Sequence, residues 1–166
     1  MAALRGKCYW AKVHEPVPNF FSPEKIEYSI TIGQLTDNDV AFLKSQNLGN
    51  KIKDDVKGST GGGKYIEFKT KNVKSVRNHE TGEREDVENT IMVLDAELNP
   101  LSPDILIGNT SEVVVSFQPI HYKKLNIWGV DLLGVQVLEL NEYSPHVDPM
   151  ADFRAAAVDD ASAFAA

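Results

Sequence analysis

The apolar residues of this 166-residue chain recur mostly at every second position, and only one stretch is spaced and capped like a helix. Period two sends successive side chains to opposite faces, so such a chain must close on itself or stack sheets to bury one face of each strand. Residues 6–14 read as a first strand and residues 25–32 as a second, in which Tyr28, Ile30 and Ile32 share a face; Pro16, Pro18 and Pro23 crowd the connection. Thr36-Asp-Asn-Asp resembles a helix N-cap with acids in the first turn, and Val40, Phe42 and Leu43 followed by Asn47 and Gly49 complete one short helix and its stop. Residues 64–73 alternate again, a polar turn surrounds Gly82, and residues 87–96 form the next strand, so these two are expected to pair as a hairpin. Residues 113–117 and 129–140 are further β-rich runs, with residues 118–128 expected as the loop between them. One helix and no βαβ rhythm predict a mainly β domain, a small antiparallel barrel or sandwich.

The length fits one domain, and 42% hydrophobic residues suffice for its core. The only cysteine, Cys8, rules out an intramolecular disulfide and a cysteine metal cluster, in keeping with a reducing cytoplasm. No apolar run approaches the roughly 18 residues of a membrane span, and the start Met-Ala-Ala-Leu-Arg-Gly-Lys lacks the apolar stretch of a signal peptide. The expectation is a cytoplasmic protein without a membrane partner. After Tyr143 the chain turns to Pro, Asp and Ala without a sustained apolar period, which divides it into a folded domain at 1–143 and a flexible acidic tail at 144–166.

Charge is distributed unevenly. The whole chain carries a net −7, yet residues 51–77 hold eight Lys/Arg against three Asp/Glu, while residues 139–166 hold six acids and a single Arg154. A charge run is ordinarily a solvated face, but a basic middle with an acidic end also suits a nucleic-acid surface with an interaction tail.

Several motifs of catalytic type are present in fragments. Gly58 to Lys64 matches the G-x-x-x-x-G-K part of a phosphate-binding loop, but Tyr65 stands where a Ser or Thr should hold magnesium, and a strand follows where a helix is needed. Asp55 with Glu67-Phe68-Lys69 has the residue types of a magnesium nuclease, a pattern that arises cheaply on charged strands. His14, His79, His121 and His146 form no local metal spacing, and no Ser/His/Asp set has a diagnostic signature. The chain therefore reads as a binding protein rather than an enzyme, with no cofactor and no metal.

Sequence-blind binding of single strands needs cations for phosphates and aromatic faces for bases. Three clusters supply both: Lys7, Tyr9, Trp10 and Lys12; Lys64, Tyr65, Phe68, Lys69, Lys71, Lys74 and Arg77; and Tyr122, Lys123, Lys124 and Trp128. Alternation places Tyr65, Lys69 and Lys71 on one face and sends Ile66 and Phe68 to the core; Trp10 and Lys12 share a face opposite Tyr9. The DNA-binding candidates are Trp10, Lys12, Lys64, Tyr65, Lys69, Lys71, Lys74, Arg77, Tyr122, Lys123, Lys124 and Trp128, although any single aromatic has an even chance of being ordinary core.

The chain resembles the single-stranded DNA-binding proteins of short-tailed bacteriophages. The resemblance covers about residues 5 to 143. It rests on Ile26-Glu-Tyr-Ser-Ile-Thr-Ile before the helix, the glycine loop leading into Lys64-Tyr-Ile-Glu-Phe-Lys, Asp104-Ile-Leu-Ile-Gly108 leading into Val113-Val-Val-Ser-Phe, then Pro119-Ile-His-Tyr-Lys-Lys and residues 129–140. It implies a single OB-fold, a five- to six-stranded antiparallel Greek-key barrel, that binds single strands during phage replication, recombination and repair. It also implies homodimerisation, which the family commonly shows, and a tail (Asp148, Asp152, Asp159, Asp160 and Phe164) that contacts the phage DNA polymerase and helicase-primase and competes with DNA for the groove. Family tails are denser in acid and end on an aromatic residue, whereas Phe164 is followed by Ala165-Ala166. The alternatives are a β-domain whose basic hairpin docks on an acidic protein, and the metal-dependent nuclease.

Overall fold

Five long strands carry the architecture in the computed structural model, which describes residues 1–142. They are β1 (Ala2–Pro18), β2 (Ile26–Gly33), β4 (Lys64–Lys71), β8 (Glu112–Tyr122) and β9 (Ile127–Glu139). Between β2 and β4 lie α1 (Asp37–Ser45), a 3-10 turn (Gly49–Lys51) and the two-residue β3 (Lys53–Asp54); β5 (Val73–Arg77), β6 (Arg84–Glu88) and β7 (Met92–Leu94) separate β4 from β8. The sheet order is β3-β4-β2-β1-β8-β9-β7, with β5 and β6 forming a ribbon of their own. Side chains, not a ladder, bring β4 to β9: the Thr70 hydroxyl donates to Asp131 Oδ1 at 2.6 Å. The result is the partly open Greek-key barrel of an OB-fold.

The inward face of each strand is the one alternation selects. Ile30, Ile32, Ile66, Phe68, Val113, Val115 and Phe117 are fully buried, and the rings of Phe68 and Phe117 lie 4.8 Å apart at the centre. Burying such a side chain contributes about 1.5–3 kcal/mol. The helix covers one barrel end with Leu43 buried and Phe42 against Phe117, and its start is a capping box in which the Asp39 amide donates to Thr36 Oγ1 and the Thr36 amide donates to Asp39 Oδ2.

The expected pairing of residues 64–73 with 87–96 is not what forms. β4 pairs with β2 and β3, and the hairpin is β5 with β6 around Gly82, whose φ of +73° suits glycine. The chain breaks at Asn72, whose amide donates to the Ile26 carbonyl, and Asn89 clamps the exit by donating from Nδ2 to the Lys71 carbonyl at 2.7 Å. Residues 87–96 thereby divide between β6 and β7, and β7 runs parallel to β9.

Residues 118–128 are also not one loop. The β8–β9 ladder continues to Tyr122 opposite Ile127, leaving only a tight turn at 123–126. Pro119 is tolerated because β1 pairs with β8 only as far as Phe117, so its missing N–H faces no ladder on that side.

The first strand is longer than expected and includes Pro16 and Pro18. Between Tyr9 and Lys12 it bulges by one residue, with Trp10 at φ +51° and its amide donating to Asn109 Oδ1 at 2.8 Å. Cys8 and Tyr9, in regular register before the bulge, are both buried on opposite faces: Cys8 in the core, and Tyr9 against Gly33 with its hydroxyl accepting from Gln34 Nε2. Burial pushes the Cys8 thiol up to about 11, which makes it a core residue with little thiolate at neutral pH.

Candidate nucleic-acid interface

The outer face of β4 presents Tyr65, Glu67, Lys69 and Lys71, while Ile66, Phe68 and Thr70 point inward. Antiparallel register sets Lys69 beside Ser29 and Lys71 beside Glu27, and Lys12 of β1 sits beside Ser29 in the same row. Where β4 gives way to the ribbon, the surface deepens into a groove of about 660 Å³. Lys69 and Lys71 line its β4 side, Lys74 the ribbon side, and Tyr122 the side formed by the β8–β9 hairpin. Cations and one half-exposed aromatic ring thus converge from three elements far apart in sequence.

Lys74 is held there by a side-chain chain. Its ammonium donates to Asp131 Oδ2 at 2.5 Å, Asp131 also accepts from Thr70, and Asn89 donates to Thr70 Oγ1 at 3.1 Å. This pairing ties the ribbon to β9 and fixes one wall of the groove. Tyr122 lies across Gly129, where an added Cβ would come within 2.7 Å of the ring, so glycine is required for the ring to lie flat against β9.

The remaining candidates are dispersed. Trp128 is on the other face of the β8–β9 hairpin, stacked on His121 with ring centroids 4.7 Å apart, and so already has an aromatic partner. Lys123 and Lys124 are exposed in the hairpin turn. Lys64 pairs with Asp54 at 2.6 Å, Tyr65 is half-buried beside Lys53, and Arg77 is exposed at the end of β5 opposite Arg84. Trp10 and Lys12 line a separate cavity of about 580 Å³ with Asn109 and Asn141. Asp148, Asp152, Asp159, Asp160 and Phe164 lie outside the described residues.

Strand-by-strand reading missed Phe20 and Phe21. They are 89% and 90% exposed in the β1–β2 connection, edge to face with ring centroids 5.1 Å apart. Asn19 shapes the loop: its Oδ1 accepts from the amides of Phe21 and Ser22, and its Nδ2 donates to Glu27 Oε2. The connection runs into β2 at Ile26, whose carbonyl accepts from the Asn72 amide just past the Lys71 end of β4. The available signal was adjacent phenylalanines between Pro18 and Pro23, where no strand could bury them.

The glycine run is organised by Asp55. Its carboxylate accepts from the amides of Ser59, Thr60 and Gly62 and from the Thr60 hydroxyl, at 2.8–3.0 Å. Desolvation pushes the Asp55 carboxyl up, but these four hydrogen bonds outweigh it and hold the group below its usual range. Thr60 is fully buried against Gly33 and Tyr9. The amides that a phosphate-binding loop would offer outward are turned onto the chain's own acid. Among the described residues, no group of three or more His, Cys, Asp or Glu is arranged to hold a metal ion.

Comparison with known proteins adds the fold's relatives. No family model matches, and no curated protein matches in sequence. Among solved structures, gp2.5, a single-stranded DNA-binding protein encoded by bacteriophage T7, superposes with a TM-score of 0.52 and 16% identity, covering 91% of this chain and 93% of that one. The single-stranded DNA-binding protein of bacteriophage Enc34 in complex with single-stranded DNA gives 0.56 and 18%, over 84% and 88%. A C-terminally truncated form of the Enc34 protein gives 0.54 and 17%, over 86% and 87%. This chain has the fold of the phage single-stranded DNA-binding proteins. At such identities the likeness is one of fold. No helix among the described residues is long and apolar enough to cross a membrane.

Proposed function

We infer that this protein binds single-stranded DNA without regard to sequence, coating it during phage DNA replication, recombination and repair in the host cytoplasm. The observation that carries the reading is the groove in which Lys69, Lys71 and Lys74 meet Tyr122, on a fold shared with a protein solved on single-stranded DNA. Lysine ammonium groups pair with phosphates, and Tyr122 and the exposed Phe20–Phe21 pair offer faces for bases. Base faces are common to all nucleotides, so this chemistry is blind to sequence. It calls for no bond making, and the protein acts as a binder rather than an enzyme.

Fluorescence anisotropy of labelled oligo-dT, titrated with the protein at several salt concentrations, tests this. With about four phosphates neutralised, the log-log salt slope is near −3. Absent or salt-insensitive binding would overturn the reading.

The six acids and one arginine of residues 139–166 support a further role for the C-terminal segment. In this reading it competes with DNA for the lysines and engages the phage polymerase and helicase-primase, and the folded unit of residues 1–143 self-associates as a dimer. Truncation after Tyr143 then tightens DNA binding, and unchanged affinity would remove the competition.

A further inference from the structure

The groove holds as many acids as amines. Glu27, Asp86 and Asp131 line it alongside Lys69, Lys71 and Lys74, so the candidate DNA site is electrically balanced rather than strongly basic. The acids stand against the lysines in a definite way. Asp131 takes the Lys74 ammonium directly, with the Asp131 side chain 14% exposed and the lysine 37%. Glu27 faces Lys71 across the β2–β4 ladder. Asp86 reaches the groove from the ribbon, opposite Ser75, and accepts no side-chain hydrogen bond among the described residues.

We propose that Glu27, Asp86 and Asp131 are internal competitors with phosphate that set the groove to moderate affinity and make bound DNA easy to displace. The proposal rests on the single-stranded DNA reading above and concerns the regulation of that same site. At half-buried Lys74 a departing phosphate is replaced by the Asp131 carboxylate already in place, so release does not strand that ammonium without a partner. Binding exchanges one anion for another on Lys74 and, beside Lys71, sets phosphate against the nearby Glu27 carboxylate, so the groove yields less salt dependence than three unopposed lysines would. The design suits a coat that must yield to other enzymes on the same strand.

The test compares the full chain with Asp86→Asn and with Glu27→Gln/Asp86→Asn, using oligo-dT binding across a salt series together with thermal melts. The proposal expects affinity to rise about threefold per substitution, in the range of exposed ion pairs, with slower dissociation and a steeper salt slope. Asp86→Asn alone keeps the test valid if loss of the Glu27 contact to Asn19 disturbs the β1–β2 loop. Unchanged affinity and slope in a folded variant would overturn the proposal while leaving the DNA reading intact. Weaker binding would also overturn it, because it would make the acids acceptors for base edges. No binding by the unsubstituted chain would overturn both.

Discussion

At the Lys64 end of β4 the amides of the glycine run are turned onto the Asp55 carboxylate, whereas at the Lys71 end three lysines and Tyr122 line an open groove. The first end is the one a motif search selects for anion binding, and it is occupied from within. The second carries no motif, and its parts come from β4, the ribbon and the β8–β9 hairpin. Flanking charge separates the ends too: Lys64 is committed to Asp54, whereas in the groove Lys74 is paired with Asp131 but Lys69 and Lys71 make no ion pair among the described residues. An anion-binding shape in a sequence becomes a site only if the fold leaves its donors free.

Substitutions at each end separate the two roles. The largest effect on binding is expected from Tyr122→Leu, which removes a stacking face and weakens oligo-dT binding by about 1–3 kcal/mol; Trp128→Leu, on the far face against His121, weakens it much less. Equal losses at the two positions would break the distinction between the hairpin's faces. Next, Lys69→Ala/Lys71→Ala should reduce the magnitude of the log-log salt slope by no more than about 1.4, the value for two unopposed contacts at roughly 0.7 each, and by less where Glu27 already opposes phosphate at Lys71. Because both side chains are exposed, the melting temperature should hardly move. Asp55→Ala is the converse case: it leaves three amides and a hydroxyl without their acceptor, lowers the melting temperature, and keeps oligo-dT affinity within about twofold.

The smallest effects are in pH, and they fall in separate windows. His14 Nε2 is buried without a hydrogen-bond partner, and desolvation lowers the imidazole from its ordinary 6.5. Protons then bind the unfolded chain more readily, so this stability is complete above about pH 6.5 and declines as pH falls below it. Asp55, also lowered, contributes stability that is present above about pH 3.8 and is lost only at stronger acid. Thermal melts from pH 8 to pH 3 should show the upper decline vanish in His14→Leu and the lower one in Asp55→Ala.

Much of the barrel was legible because its information is local. Inward Ile66 and Phe68, and Tyr28, Ile30 and Ile32, follow from period two, and the Thr36 cap follows from its own spacing. Strand partners were less legible. Nothing in alternation distinguishes Asn72 from other polar positions, yet its hydrogen bond to Ile26 ends β4 and sends residues 73–77 into the ribbon. Residues 118–128 read as a loop, Pro119 among them, because the sequence does not reveal that β1 stops at Phe117 and frees the edge that lets a proline sit in β8. The site was legible by composition but not by grouping. Lys69, Lys71, Lys74 and Tyr122 converge, Trp10 and Trp128 go elsewhere, and Asp131 emerges only once Lys74 is seen against it.

Backbone amide chemical-shift mapping of the full chain with oligo-dT tests the central claim most directly, because it reports both ends of β4 in one experiment. The open-groove account predicts shifts along residues 69–77, in the Tyr122 hairpin and at Phe20 and Phe21, with Ser59, Thr60 and Gly62 unmoved. Shifts confined to the glycine run, with the Lys71 end silent, would contradict it.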